Sequence, residues 1–328
     1  MDELTLTVGI ACRNGLPHLT ACLDALPAVA ARVPGVRFVL VDSGSSDGTL
    51  AAMQAFAGGR ADTRVLSMQG HVNLSATRNV ILDAAGPGPV FLVDGDVAVE
   101  PGFVAAALAA LAEDRADIVF GRLPEVLYDG QHRRIAEGGD RYAVGGGGPC
   151  HLFHGIVMLG PAVTAARPRY DPRLTRCEDT DMSIRLSGRF RILALPMVMG
   201  IHHTVSYYHA DRRGAFYREQ YTRPLGALIR KHLAAPRRLW HGHSVFAGVA
   251  TGLATQALLA AALATGQAAA IAAALALMAL DFAQLALRGR YRNYVPVRLV
   301  GAWFLVLGFL APRWDAPDFQ LVEAAPRP

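Results

Sequence analysis

Val36-Arg37-Phe38-Val39-Leu40-Val41-Asp42-Ser43-Gly44-Ser45-Ser46-Asp47-Gly48-Thr49 is a short β-rich run that ends on a carboxylate, passes through a Gly/Ser turn and enters a helical pattern. Asp42 closes the strand itself, where it can accept a hydrogen bond from a base or ribose; Asp47 is placed to cap the helix that follows. Working outward, residues 4–11 form an earlier β-rich run and 15–31 a helical pattern. Downstream come a helix over 49–56, a strand over 64–67, a helix over 75–85, a strand over 90–93, a helix over 102–113 opened by Pro101, and a strand over 117–120. This β-α rhythm predicts an α/β, Rossmann-like, mostly parallel sheet flanked by helices. Such sheets bind ligands in the crevice outside the carboxyl ends of their strands, so polar residues directly after strands are the informative ones.

Asn14 follows the first strand and is a candidate ligand contact at the crevice. Asp94-Gly95-Asp96 follows the fourth and sets two carboxylates two residues apart, with Gly95 permitting a close backbone approach. That arrangement suits a hard divalent cation, Mg²⁺ or Mn²⁺, bridging a diphosphate. Glu178-Asp179-Thr180-Asp181 puts three acids ahead of a helical pattern, a repulsive cluster that asks for a nearby cation or a proton-transfer role. His202-His203 after an apolar strand at 193–201 offers a nitrogen ligand, with the register between the two open. Each of these alone is also ordinary turn, cap or core chemistry.

Charge is unevenly placed. Of the 328 residues, 52% are hydrophobic and 18% charged, and the net charge is +5. Residues 1–211 carry 18 basic and 22 acidic side chains, 212–243 carry 8 and 1, and 244–328 carry 6 and 4. The positive excess thus sits directly before the most apolar stretch, which points to anionic lipid headgroups and not to nucleic acid. Residues 245–287 hold one acid, Asp281, and no Lys or Arg, enough for two spans about a turn at Thr265-Gly266-Gln267. A third apolar stretch, 299–311, is short for a span. Basic residues flank both ends of the pair, so the positive-inside rule predicts a multi-pass protein of the inner (cytoplasmic) membrane with its sheet domain facing the cytoplasm. The acidic start carries no signal-peptide pattern. Cys12, Cys22, Cys150 and Cys177 show no metal or disulfide spacing.

Four segments in order resemble the family 2 inverting glycosyltransferases of the GT-A fold: Val41 to Thr49 resembles the family's V-D-D-G-S-x-D-G-T, Leu74 to Asn79 its S-x-A-R-N, Asp94 to Asp96 its D-x-D, and Glu178 to Asp181 with Arg185 its E-D-x-D followed by R-L. The likeness covers roughly two thirds of the chain. It implies a nucleotide-sugar donor, of UDP type, with Asp42 on the base, Arg78 on the nucleotide or its phosphates, Asp94 on the ribose and donor sugar, and Asp96 on the metal. It further implies Asp179 as catalytic base beside Glu178, and a metal or diphosphate ligand at His202, with His203 the near alternative. Ser43 departs from the second Asp of the family pattern. The run Gly145 to Pro149 reads as a flexible acceptor-side loop, and His154 and Asp181 are acceptor-side candidates.

The expected organisation is a GT-A domain over 1–211, a basic amphipathic juxtamembrane segment over 212–243, two or three transmembrane helices over 244–311, and a tail over 312–328. A catalytic crevice tethered at a membrane makes a lipid hydroxyl the economical acceptor, with a polyprenyl phosphate or a polysaccharide as alternatives. Homo-oligomerisation is compatible with this organisation. Of the other classes, a nucleotidyltransferase lacks its G-x-G-x-R-L-x-P-type loop. A catalytically silent membrane binding module would have no reason to keep Asp94, Asp96 and Asp179 together.

Overall fold

The structure, a computed structural model, describes residues 5–142, 144–206, 222–234, 244–287 and 294–325. Alternation of apolar strands and amphipathic helices builds the first half in the expected order: β1 (Thr7–Cys12), α1 (His18–Arg32), β2 (Arg37–Asp42), α2 (Thr49–Ala57), β3 (Thr63–His71), α3 (Leu74–Ala84), β4 (Val90–Asp94), β5 (Val97–Val99), α4 (Pro101–Ala112) and β6 (Ile118–Arg122). All six residues of β1 are buried, as a central parallel strand covered on both faces requires. Phe38, Leu40, Phe91 and Phe103 are fully buried around it, each contributing about 1.5–3 kcal/mol relative to exposure.

Then follow β7 (Pro124–Tyr128), β8 (Arg134–Asp140), β9 (Gly148–Cys150), β10 (Val157–Leu159), α5 (Pro161–Ala165), α6 (Glu178–Leu186), β11 (Ile192–Val198) and β12 (Gly200–Val205). The main sheet runs β13-β3-β2-β1-β4-β10-β6-β11-β9, where β13 is Asp318–Glu323. Pairs β1–β2, β2–β3, β1–β4 and β6–β11 are parallel, and β10 is antiparallel to both its neighbours. A second sheet, β5-β12-β7-β8, stands beside it.

Three expectations are corrected by the fold. The apolar run that reads as one strand over 193–201 is two, β11 and β12, and His202 and His203 lie inside β12 instead of after it. The glycine-rich loop is shorter than it reads, because Gly148 and Pro149 join β9 on the edge of β11. The stretch 312–328 is not a free tail: β13 pairs antiparallel with β3 from Asp318 opposite His71 to Glu323 opposite Leu66. The chain divides into two units, one running to Ser206 and resuming at Asp315, the other lying between and ending at Trp314.

The second unit contains α7 (Thr222–Lys231), α8 (Ser244–Thr265), α9 (Ala268–Leu287), a wider π-type helical stretch (Tyr294–Gly301) and α10 (Ala302–Leu310). The turn between α8 and α9 is at Gly266-Gln267. Among the described residues one helix, α9, is long and apolar enough to cross a membrane by length and composition, with mean hydropathy 2.0. In α8 the apolar stretch covers 250–265, and in the third segment 298–310. α7 and α10 meet backbone to backbone: a Cβ on Gly226 would stand 2.1 Å from the Leu305 carbonyl oxygen, and one on Gly308 2.0 Å from that of Arg223. Arg298 pairs with Asp281 at 3.0 Å. Of the basic segment 212–243, only residues 222–234 are described; Tyr217, Tyr221, Arg237, Arg238 and Trp240 lie outside, as do Arg288, Arg290 and Arg292.

Candidate active site

The loops after β1 and β2 are bound to each other. Asn14 donates its backbone N–H to Ser45 Oγ (2.8 Å) and accepts at Oδ1 from the N–H of Ser46 (2.9 Å). Asp47 accepts from the N–H groups of Thr49 and Leu16, both at 3.0 Å, and so ties the two loops together; the N-cap of α2 is Gly48, in the left-handed conformation and without a side-chain cap, which corrects the capping expectation for Asp47. Asp42 is buried at the end of β2 and accepts long contacts from the N–H of Ser45 (3.3 Å) and the Ser67 hydroxyl (3.4 Å). Ser43, which departs from the family pattern, is hydrogen-bonded to the buried Thr77 hydroxyl at 2.7 Å. This position is therefore satisfied internally by a neutral pair.

α3 holds the centre. Its N-cap Asn73 accepts from the N–H of Ala76 at 2.9 Å. On one face Ser75 donates to the Leu174 carbonyl (2.8 Å), and one turn on Asn79 grips the Tyr170 backbone, donating to its carbonyl (2.9 Å) and accepting from its N–H (2.8 Å). Arg78 is buried. One guanidinium nitrogen donates to Asp94 at the end of β4 (2.8 Å), the other to Glu178 at the start of α6 (2.7 Å), and the group stacks over Tyr170. Its side chain is only 3% exposed, so Arg78 joins the two acidic motifs from behind. Burial, then the adjacent Asp179 charge, push Glu178 up to about 7 against the pull of Arg78. Asp179, at the same helix start, is half-buried with Oδ1 on the Thr180 N–H at 2.7 Å.

Gly95 brings β4 against β1: a Cβ there would lie 2.6 Å from that of Cys12, so the close approach anticipated for a ligand is made to the protein's own strand. Beyond it Asp96 Oδ2 meets His202 Nε2 at 3.2 Å, and His202 Nδ1 meets Glu125 Oε1 at 3.0 Å. The other carboxylate oxygen, Asp96 Oδ1, is buried without a hydrogen-bond partner. Burial opposes the charge of Asp96, yet the His202 bond holds it below the usual carboxylate range. For His202, burial is outweighed by bonds to Asp96 and then Glu125, which raise it to about 10. Strand alternation separates the two histidines: His203 points to the opposite face of β12, onto the Tyr128 hydroxyl (2.9 Å) and beside His18.

A carboxylate oxygen without a donor beside an imidazole nitrogen is a donor set that fits a divalent cation. Among the described residues no three His, Cys, Asp or Glu side chains form a cage by themselves, so a cation held by Asp96 and His202 would need further ligands, such as substrate phosphates. The remaining candidates are engaged with the protein's own side chains. Asp181 is wholly buried and paired with Arg185 one turn on at 2.9 Å. His154 is stacked on Tyr142 with centroids 4.2 Å apart.

Residues 7–154 match the model of glycosyl transferase family 2. Over those residues the chain carries a family 2 glycosyl transferase domain, and this match supports a glycosyltransferase. Its GT-A-like fold is shared with solved structures of low identity. Staphylococcus aureus TarS 1-349 aligns at 15% identity over 72% of this chain and 82% of that one, with TM-score 0.51. The same protein in complex with UDP-GlcNAc aligns at 17% over 69% and 66%, with TM-score 0.52. The mannosyltransferase PcManGT from Pyrobaculum calidifontis, in complex with GDP-Man and Mn²⁺, aligns at 18% over 93% and 87%, with TM-score 0.60. No curated protein matches the chain.

Several residues around the candidate site carry little or no sequence signal: Glu125, Tyr128, His18 and Tyr170 are not singled out by any motif. The alternation of β7 carries Glu125 and Tyr128 to opposite faces, a weak signal in five residues; the others have none.

Proposed function

We propose that the protein transfers a sugar from a nucleoside diphosphate sugar to a lipid hydroxyl at the cytoplasmic face of the inner membrane, inverting the anomeric centre. The catalytic half is supported by two contacts, Arg78 joining Asp94 to Glu178 beside Asp179 at the start of α6, and His202 of β12 meeting Asp96, with Asp42, Asp94 and Asp96 at the carboxyl ends of parallel strands. The membrane half is supported by α9, which exposes Leu275, Leu280, Phe282 and Leu287. Glycine-mediated backbone contact between α7 and α10 is the packing that apolar surroundings favour.

Asp42 takes the base, with Asn14 bracing the loop in front of it, and Asp94, oriented by Arg78, faces the ribose and sugar. Asp96 and His202 would hold Mg²⁺ or Mn²⁺, which supplies charge neutralisation on the departing diphosphate. Asp179 takes the proton of the attacking hydroxyl late in the transition state; Glu178, tied to Arg78, fixes the helix start that presents it. TarS is solved with UDP-GlcNAc and the mannosyltransferase with GDP-Man and Mn²⁺; both nucleotides therefore belong in the test, with UDP-sugars the expectation.

The test is nucleotide release by purified protein across UDP- and GDP-sugars with Mg²⁺ or Mn²⁺, with and without membrane lipid, alongside Asp179→Asn. Release that requires lipid and is lost in Asp179→Asn, while nucleotide binding persists, is expected. Release indifferent to lipid would point to a polysaccharide or other soluble acceptor; full transfer by Asp179→Asn would point to a phosphate acceptor, which arrives already ionised. Release that survives EDTA would remove the metal.

A further inference from the structure

We infer that Glu125 is a positioning residue for the metal end of the site, orienting the His202 imidazole so that Nε2 is presented beside Asp96. This rests on the reading of Asp96 and His202 as the metal-holding pair.

The register is the first observation. β12 pairs parallel with β7, and His202 stands directly opposite Glu125; on its other side β12 pairs antiparallel with β5, and His202 stands opposite Val97, the residue after Asp96. Neighbouring strands are about 4.8 Å apart, so this pairing delivers Glu125 to one ring nitrogen and Asp96 to the other. The hydrogen bonds follow, 3.0 Å at Nδ1 and 3.2 Å at Nε2.

Glu125 is itself held. Arg141, at the end of the β7–β8 hairpin, donates to the same Oε1 at 2.8 Å. Room for the carboxylate is left by the facing strand, where a Cβ on Gly138 would stand 2.8 Å from the Glu125 Cβ. A carboxylate accepting the Nδ1–H of a histidine fixes both ring plane and tautomer, and leaves Nε2 as the ligating atom. The second sheet thereby sets a chain of Arg141, Glu125, His202 and Asp96 in which only the last two reach the cation.

The experiment is Mn²⁺ binding to the purified full chain with UDP or GDP present, read by electron paramagnetic resonance of protein-bound and unbound ion, for wild type, Asp96→Ala, Glu125→Ala and Glu125→Gln. Removal of such an outer partner weakens metal affinity by about 10–100-fold. Glu125→Ala is expected in that range, with loss of the imidazole-nitrogen modulation in the Mn²⁺ spin echo. Glu125→Gln keeps an oxygen acceptor and is expected to recover part of both, which also guards against a variant that merely folds poorly. Wild-type affinity and nitrogen modulation in Glu125→Ala, with binding lost in Asp96→Ala, would overturn the role of Glu125 alone. Undiminished binding in Asp96→Ala, or no Mn²⁺ binding by wild type, would overturn the metal reading and this inference with it.

Discussion

His202 lies between two carboxylates, and its proton stabilises the metal-free fold. Its folded value of about 10 exceeds the unfolded value of about 6.5. The stabilisation is thus complete below about pH 6.5 and is lost as pH rises through the folded value. In EDTA, the melting temperature of the wild type is expected to fall between about pH 6.5 and pH 10, and His202→Gln should show a flatter slope over the same window. An equal slope in the variant would mean that His202 carries no such proton. His203, one residue on, is lowered by burial, and the two neighbours are set apart by strand alternation.

At the scale of the element, α3 shows why a short motif of mixed chemistry stays together. Ser75 and Asn79 hold the 170–174 loop, Thr77 satisfies Ser43, and Arg78 joins Asp94 to Glu178. Replacing Arg78 by Met leaves two acids at the site without their cation; removing one partner of a buried pair typically costs about 3–5 kcal/mol. Arg78→Met should unfold at markedly lower denaturant and lose transfer, while Arg78→Lys, which cannot serve two carboxylates from one planar group, should recover little. Chemical unfolding monitored by circular dichroism checks this, and an Arg78→Met variant as stable as the wild type would show the clamp to be dispensable.

On the scale of the whole molecule, the catalytic unit is discontinuous in sequence. It is left after Ser206 and resumed at Asp315, whose carboxylate accepts from Asn73 (2.5 Å) and is paired with His71, and β13 then covers the edge of β3. A chain ended at Ser206 leaves β3 as an open edge, which invites aggregation. Replacing residues 207–314 by a flexible linker while keeping 315–328 should give a better-behaved protein than the simple truncation, with a higher melting temperature and less oligomer on gel filtration. Equal behaviour would mean that β13 contributes nothing to the sheet.

The sequence by itself determined the parallel core and the carboxylates at its strand ends, because buried strands and capped helices announce themselves through local periodicity and turn chemistry. Asp42, Asp94, Asp96, Glu178 and Asp179 were legible for that reason. Tertiary structure alone decided what no local pattern encodes. It turned Arg78 from the crevice into a buried clamp, chose His202 over His203 to face Asp96, brought Glu125 to the imidazole through strand register, and returned residues 318–323 to the sheet. Each of these depends on which residues meet across tens to hundreds of positions in the chain. Such pairings are set by burial and register, and a one-residue slip in a strand would have exchanged the two histidines.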